Sequence, residues 1–305
     1  MRIVFMGTPD FAVPSLEALI QGGYEIAAAV TQPDSKSGRG YAPSEPPVKR
    51  IAAKYSIPVL QFKKIKSPEG VEALKKAAPD IIVTAAFGQI LSKEILDIPP
   101  LGCINVHASL LPKYRGASPV QWAIIKGEKK TGVTIMYMDE RLDAGDVISY
   151  AETDIGETET GGELYGRLAR IGAGLLAETL KKIEKGSAAR IKQDESEASY
   201  YPPLTKEAGR IDWSKPAKEI YDLIRALDPA PGAYSYAGDG VIKIWSAQTL
   251  DGSAPPGEIV EADTALVIGT GEGLISVKLL QVPGSRKMTP REFFRGRKLP
   301  GERFG

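Results

Sequence analysis

The sequence predicts an α/β protein in two parts, a mainly parallel sheet with helices on both faces followed by a small β-barrel domain. Three observations carry this. Short apolar runs alternate with segments of helical spacing over the first two hundred residues. Past Tyr201-Pro202-Pro203 the pattern changes to short strands separated by Gly/Pro turns. At 305 residues the chain is also long enough for two cores of ordinary size.

Ile3 to Met6 reads as the first strand, and Pro9 to Ile20 as a helix whose Pro9 suits a first-turn position. Glu25 to Thr31 is a strand, Pro46 to Lys54 a helix, Pro58 to Leu60 a short strand and Gly70 to Ala77 a helix. Two apolar strands follow, Ile81 to Ala85 and Gly102 to Val106, and then a helix from Ser118 to Lys126. Val133 to Met138 and Val147 to Ala151 are joined by a loop and not by a helix, so an antiparallel addition is expected there. Leu164, Leu168, Ile171, Leu175 and Leu176 give the segment Glu163 to Lys185 helical spacing. A linker at about 193–205 separates a domain at 1–200 from one at 206–305. The latter has one helix, Ala217 to Ala226, before strands at 233–236, 241–247, 257–260, 265–268 and 274–280. The first part is expected to be Rossmann-like and the second OB-like.

Apolar and charged fractions of 43% and 25% exclude a disordered or fibrous chain. No apolar stretch is long enough to span a bilayer, and Met1-Arg2 runs straight into a strand with no cleavage region, so a cytoplasmic protein without membrane contact is expected. The single cysteine, Cys103, suits a reducing compartment and lies in an apolar strand, where it reads as filler. One histidine and one cysteine cannot build a nitrogen- and sulfur-rich metal site, and no acidic calcium loop occurs; the expected chemistry is metal-free. A net charge of +1 gives no global pull toward nucleic acid. The stretch from Arg286 to Arg303 is locally basic, either a solvated tail or a phosphate-contacting surface.

The one histidine, His107, sits in Asn105-Val106-His107-Ala108-Ser109-Leu110-Leu111-Pro112. Imidazole is the usual proton handler near neutrality, so such chemistry has a single place to go in this chain. Asn105 and His107 alternate at the end of a strand with period two and therefore face the same way. Carboxyl ends of strands are where open α/β sheets place their sites. The alternative is a histidine satisfied within the core. The Gly7-Thr8-Pro9 turn lacks the spacing of a dinucleotide loop, and neither a phosphate loop nor a nucleophile elbow is present. Asp143, in the glycine-bearing acidic loop Met138 to Asp146, is placed between two strands from which it can approach His107.

The run Asn105 to Gly116, followed by Thr131-Gly132-Val133-Thr134 and Leu142-Asp143-Ala144-Gly145-Asp146, resembles the formyltetrahydrofolate-dependent formyltransferases. Phe5 to Ala12, Thr31-Gln32-Pro33-Asp34, Ile211-Asp212-Trp213-Ser214, Pro231-Gly232-Ala233-Tyr234 and Lys243-Ile244-Trp245 extend the resemblance from end to end. They point to the members that formylate the amino group of methionine on charged initiator methionyl-tRNA. The resemblance implies Asn105, His107 and Asp143 as the catalytic trio: Asn105 as an amide donor to the developing oxyanion, His107 as oxyanion donor or proton carrier, and Asp143 as the group that orients the ring or a water. It implies a 10-formyltetrahydrofolate co-substrate against Phe87, Gly88 and Ile90, Ser109, Leu110, Leu111 and Pro112, and Asp139 and Leu142. For tRNA it implies Lys36 and Arg39 in the loop after Asp34, with Arg286, Lys287 and Arg291 in the second domain. A monomer is expected. Departures exist: Tyr41 and Ala42 stand where relatives often carry further basic residues, and Asp228-Pro229-Ala230-Pro231 replaces Asn-Pro-Trp-Pro. The competing readings are formylation of a nucleotide-linked amino sugar on the same scaffold, or a catalytically silent RNA-binding protein.

Overall fold

The computed structural model describes residues 1–37 and 42–305. In chain order it has β1 (Arg2–Gly7), α1 (Val13–Gln21), β2 (Glu25–Thr31), β3 (Ser35–Ser37), β4 (Ala42–Ser44), α2 (Pro47–Lys54), β5 (Val59–Gln61), α3 (Pro68–Ala77), β6 (Ile81–Ala85), α4 (Lys93–Leu96), β7 (Cys103–His107) and β8 (Arg115–Gly116). There follow α5 (Pro119–Ile125), β9 (Lys130–Tyr137), β10 (Val147–Asp154), α6 (Gly161–Glu184), β11 (Tyr200–Tyr201), α7 (Ala217–Ala226), β12 (Ala233–Ala237), β13 (Gly240–Leu250), β14 (Ile259–Ala262), β15 (Leu266–Gly269), β16 (Leu274–Gln281) and α8 (Pro290–Phe294). They form two compact units. One comprises residues 1–116, 130–153 and 165–200, the other 117–129, 154–164 and 201–305.

The first unit is built on a seven-stranded sheet of order β10-β9-β7-β6-β1-β2-β5. β1 runs parallel to β2 and to β6, β2 to β5, and β6 to β7. β7 pairs antiparallel with β9, and β10 lies beside β9 at the edge of the sheet, where the sequence predicts an antiparallel addition over Val133 to Ala151. The central strands are apolar along their whole length because both faces are covered: Ile3 to Met6 and Ile81 to Val83 are wholly buried. One face packs Val4, Met6, Val30, Ile82 and Cys103 against Val71, Leu74 and Ile95. Gly7 ends β1 where a Cβ would press against the Ala12 side chain and the Ala85 carbonyl, so the turn leaves no room for another residue. That turn also corrects the first helix. Pro9 is extended and precedes a short 3-10 turn at Asp10–Ala12, and the α-helix starts at Val13.

The second unit holds an antiparallel sheet of order β12-β13-β16-β15-β14, with α7 packed on it through Ala217, Ile220 and Ile224. The chain end closes the sheet toward a barrel: Phe304 bridges Ala237, the last residue of β12, and Arg303 bridges Glu258 just before β14. The basic stretch is not a bare tail. It contains α8, opened by a capping box in which Thr289 and Glu292 satisfy each other's backbone N–H groups. Among the described residues no helix is long and apolar enough to cross a membrane.

Candidate active site

The site grows from the end of β7. Register sets Asn105 beside Thr84 of β6, and the Thr84 hydroxyl lies 2.7 Å from Asn105 Oδ1. With its oxygen engaged, the Asn105 amide nitrogen has no protein partner among the described residues, and Asn105 is half-buried. Two residues on, His107 is buried, and its Nε2 lies 3.0 Å from the Tyr114 carbonyl. A carbonyl can only accept, so Nε2 carries the proton. That leaves Nδ1 facing Asp143 Oδ2 at 3.7 Å, an ion-pair distance too long for a direct hydrogen bond.

Asp143 reaches this position from the loop between β9 and β10. Its φ is +51°, a left-handed conformation that aspartate tolerates better than most residues. The Gly116 N–H donates to Asp143 Oδ2 at 2.8 Å. Gly145 is required by the turn, because a Cβ there would collide with the Tyr137 carbonyl. The Asp143 and Gly145 carbonyls both accept from Gln193 Nε2, at 2.9 and 2.8 Å. Gln193 is in turn held by Arg115, whose side chain is fully buried and also meets Glu195 and Tyr200. The structure therefore brings His107 and Asp143 face to face, with Asn105 on the same strand.

Sequence reasoning missed three residues here. Thr84 reads as one more position in a buried strand, Arg115 as part of a motif without a role, and Gln193 as linker. None of the three carries a local signal: Arg115 stands two residues from Lys113, and nothing in the sequence marks it as the buried one.

The residues expected around a folate divide by exposure. The Phe87 side chain lies in the core, and what it turns outward is backbone: its carbonyl accepts from Gln32 Nε2 at 3.1 Å. Gly88, at φ +79°, is open, and Ile90 and Leu142 are 71% and 52% exposed, unusual for large apolar side chains on loops. Ser109 is buried and donates to the Lys113 carbonyl, Leu110 and Leu111 are half-buried, and the Leu111-Pro112 peptide is cis. The Asp139 carboxylate is taken up by Arg141. Apolar groups left in water beside a glycine turn fit a flat aromatic ligand needing greasy walls and backbone hydrogen bonds.

Of the residues expected at tRNA, Lys36 has only its backbone in β3 described, and Arg39 lies outside the described residues. Arg286 pairs with Glu292 at 2.7 Å, and Lys287 pairs with Asp228 at 3.1 Å while lying over the Trp245 ring. Arg291, on α8, is exposed and has no ion pair among the described residues. Nor do any three His, Cys, Asp or Glu side chains among them gather as ligands for a metal ion.

One chain thus carries an α/β unit, whose parallel sheet gains an antiparallel edge, and a second unit whose antiparallel sheet closes toward a barrel. The chain belongs to the formyl transferase family, matching it over residues 1–180 and matching the family's C-terminal domain over residues 203–298. It is 49% identical over 303 residues to the methionyl-tRNA formyltransferase of Acetivibrio thermocellus, covering 98% of this chain and 97% of that one. Among solved structures it is similar to methionyl-tRNA formyltransferase from Clostridium thermocellum, with a TM-score of 0.56 and 22% identity over 81% of this chain and 93% of that chain. It is also similar to an N-formyltransferase from Helicobacter canadensis, solved with folinic acid and dTDP-3-aminofucose. There the TM-score is 0.69 and the identity 20%, over 90% of this chain and 97% of that chain. These two structural likenesses show the fold alone.

Proposed function

We propose that this enzyme transfers the formyl group of 10-formyltetrahydrofolate to the α-amino group of methionine on charged initiator methionyl-tRNA. One observation carries the reading: near-half identity to methionyl-tRNA formyltransferase that runs through both domains, end to end.

The chain's residues suit each requirement of the reaction. The folate supplies an activated formyl group. The methionine nitrogen forms a bond to the formyl carbon, the bond from that carbon to the folate nitrogen breaks, and one proton passes from the amine to the leaving nitrogen. Asn105 donates its free amide N–H to the oxyanion that develops on the formyl oxygen, with Thr84 fixing which way the amide points. His107 Nδ1 takes the amine proton, because Nε2 is committed to Tyr114. The Asp143 carboxylate faces the imidazolium so formed, with Oδ2 3.7 Å from Nδ1. Phe87, Gly88 and Ile90, Ser109 to Pro112, Asp139 and Leu142 form the folate wall. Lys36, Arg39, Arg286, Lys287 and Arg291 contact tRNA phosphates, so binding should weaken as salt rises. Such a protein works in the cytoplasm as a monomer, and neither a metal nor a membrane enters the reaction.

The test is formylmethionine formed on charged initiator tRNA from 10-formyltetrahydrofolate. Transfer to the tRNA is the expected result. Transfer to a nucleotide-linked amino sugar and none to tRNA would overturn the acceptor, and no formyl release with either would overturn the activity.

A further inference from the structure

The loop that carries Asp143 is gripped by a side chain from a distant part of the sequence, and every hydrogen bond in that grip has only one possible direction. Arg115 presents five N–H donors and accepts nothing. Its Nε and Nη2 donate to Gln193 Oε1 at 3.1 and 2.9 Å, its Nη1 and Nη2 to Glu195 at 2.9 and 3.2 Å, and its Nη1 also to the Tyr200 hydroxyl at 2.5 Å. All five donors are used, so the guanidinium is fixed although its side chain is completely buried. Because Oε1 of Gln193 faces only donors, its amide nitrogen must point the other way. There it meets two groups that can only accept, the Asp143 and Gly145 carbonyls. The residue following Arg115, Gly116, holds the Asp143 carboxylate itself. Backbone and side chain of Asp143 are thus pinned from two directions, at a left-handed φ.

We propose that Gln193, anchored by the buried Arg115, is a positioning residue for formyl transfer: it fixes the Asp143 loop so that the carboxylate faces His107 Nδ1. The inference rests on the reading that Asp143 and His107 work together in transfer. Gln193 touches no reacting atom. Its effect passes through Asp143, which distinguishes it from a general structural support.

The informative variant is Gln193→Glu, which still offers Arg115 an acceptor but has no N–H for the two carbonyls. kcat is expected to fall about tenfold or more, because both hydrogen bonds to the loop carbonyls are lost, with KM for both substrates within about twofold. Combined with Asp143→Ala, it should add nothing further, as two residues acting through one group are non-additive. Gln193→Asn, which keeps both groups on a shorter stem, serves as second variant and should fall between wild type and Gln193→Glu. A readout independent of activity is available because His107 is the only histidine. Its two ring-nitrogen resonances in 15N-labelled protein should shift in Gln193→Glu toward their positions in Asp143→Ala. Unchanged kcat, losses that add to Asp143→Ala, or unmoved ring resonances would each overturn the proposal. If wild-type protein transfers no formyl group to tRNA, the functional reading falls, while the His107 resonances still decide whether Gln193 sets the loop.

Discussion

The Thr84 hydroxyl lies 2.7 Å from Asn105 Oδ1, across the β6–β7 pairing that sets the two residues side by side. In this arrangement the hydroxyl gives its one proton to Oδ1, at 2.7 Å, and not to the Ile104 carbonyl 3.1 Å away, and the amide N–H is left free. A carboxamide that rotates freely spends part of its time offering oxygen, a repulsive partner, to a developing oxyanion. With its oxygen already accepting a hydrogen bond, it offers only N–H.

Thr84→Val keeps the shape of the buried strand and deletes the hydroxyl. We expect kcat to drop about tenfold, the worth of one net hydrogen bond, with folate KM unchanged and near-complete rescue in Thr84→Ser. Asn105→Ala should cost about 10²- to 10³-fold, as for the loss of an oxyanion donor. Steady-state kinetics of the three variants check both, and equal losses in Thr84→Val and Thr84→Ser would contradict the orienting role.

His107→Ala should lower kcat by about 10²- to 10⁴-fold, the range of general acid–base catalysis. No second imidazole exists to substitute for it. tRNA affinity should be unaffected, because the side chain is buried beneath the Tyr114 carbonyl and not displayed on the surface. A filter-binding titration beside the kinetics separates the two; near-normal turnover would remove His107 from the mechanism.

What the sequence made legible follows from the range of each interaction. Periodicity is local, so the strands Ile81 to Ala85 and Leu274 to Gln281 and the helix Ala217 to Ala226 could be read almost to the residue. Asn105 and His107 stand two apart on one strand, and their shared face follows from the pleat alone. The neighbours of that face do not. Thr84 meets Asn105 only through strand register, and Gln193 meets Asp143 across 50 residues. Polar residues near 193–205 look like a linker because composition reports average solvation and not a specific partner. The same limit hid α8: seven cations dominate its stretch of sequence, whereas the Thr289–Glu292 capping box that starts the helix is a matter of two residues.

Cys103 offers a test of the sheet's integrity. Burial pushes its thiol up to about 12, so at neutral pH it carries essentially no thiolate. Thiol-specific reagents should label it only on unfolding. The sign of its linkage follows: the unfolded thiol ionises near 9 while the folded one does not, so its contribution to stability is fully present below about 9 and is lost as pH rises toward 12. Rapid labelling of native protein at pH 7 would mean that β7 opens far more readily than its burial implies.

Charge pairing ranks the cations of the second unit. Arg286 lies against Glu292, and Lys287 against Asp228 and the Trp245 ring, so each must give up or share a partner to meet a phosphate. Arg291 is exposed on α8 without an ion pair among the described residues and is free to do so at no such cost. Glu292 is also tied to its capping role: the Thr289 backbone and hydroxyl and the Arg286 guanidinium hold its carboxyl down at about 2, so it stays charged throughout the physiological range. Reversing Arg291 to Glu should therefore weaken tRNA binding more than reversing Arg286, where a countercharge already cancels most of the field. The slope of log affinity against log salt should fall in magnitude by about 1 for Arg291→Ala. Folate affinity should not move in either variant. Equal losses for Arg286 and Arg291, or an unchanged salt slope, would show that the pairs seen here open freely when nucleic acid arrives.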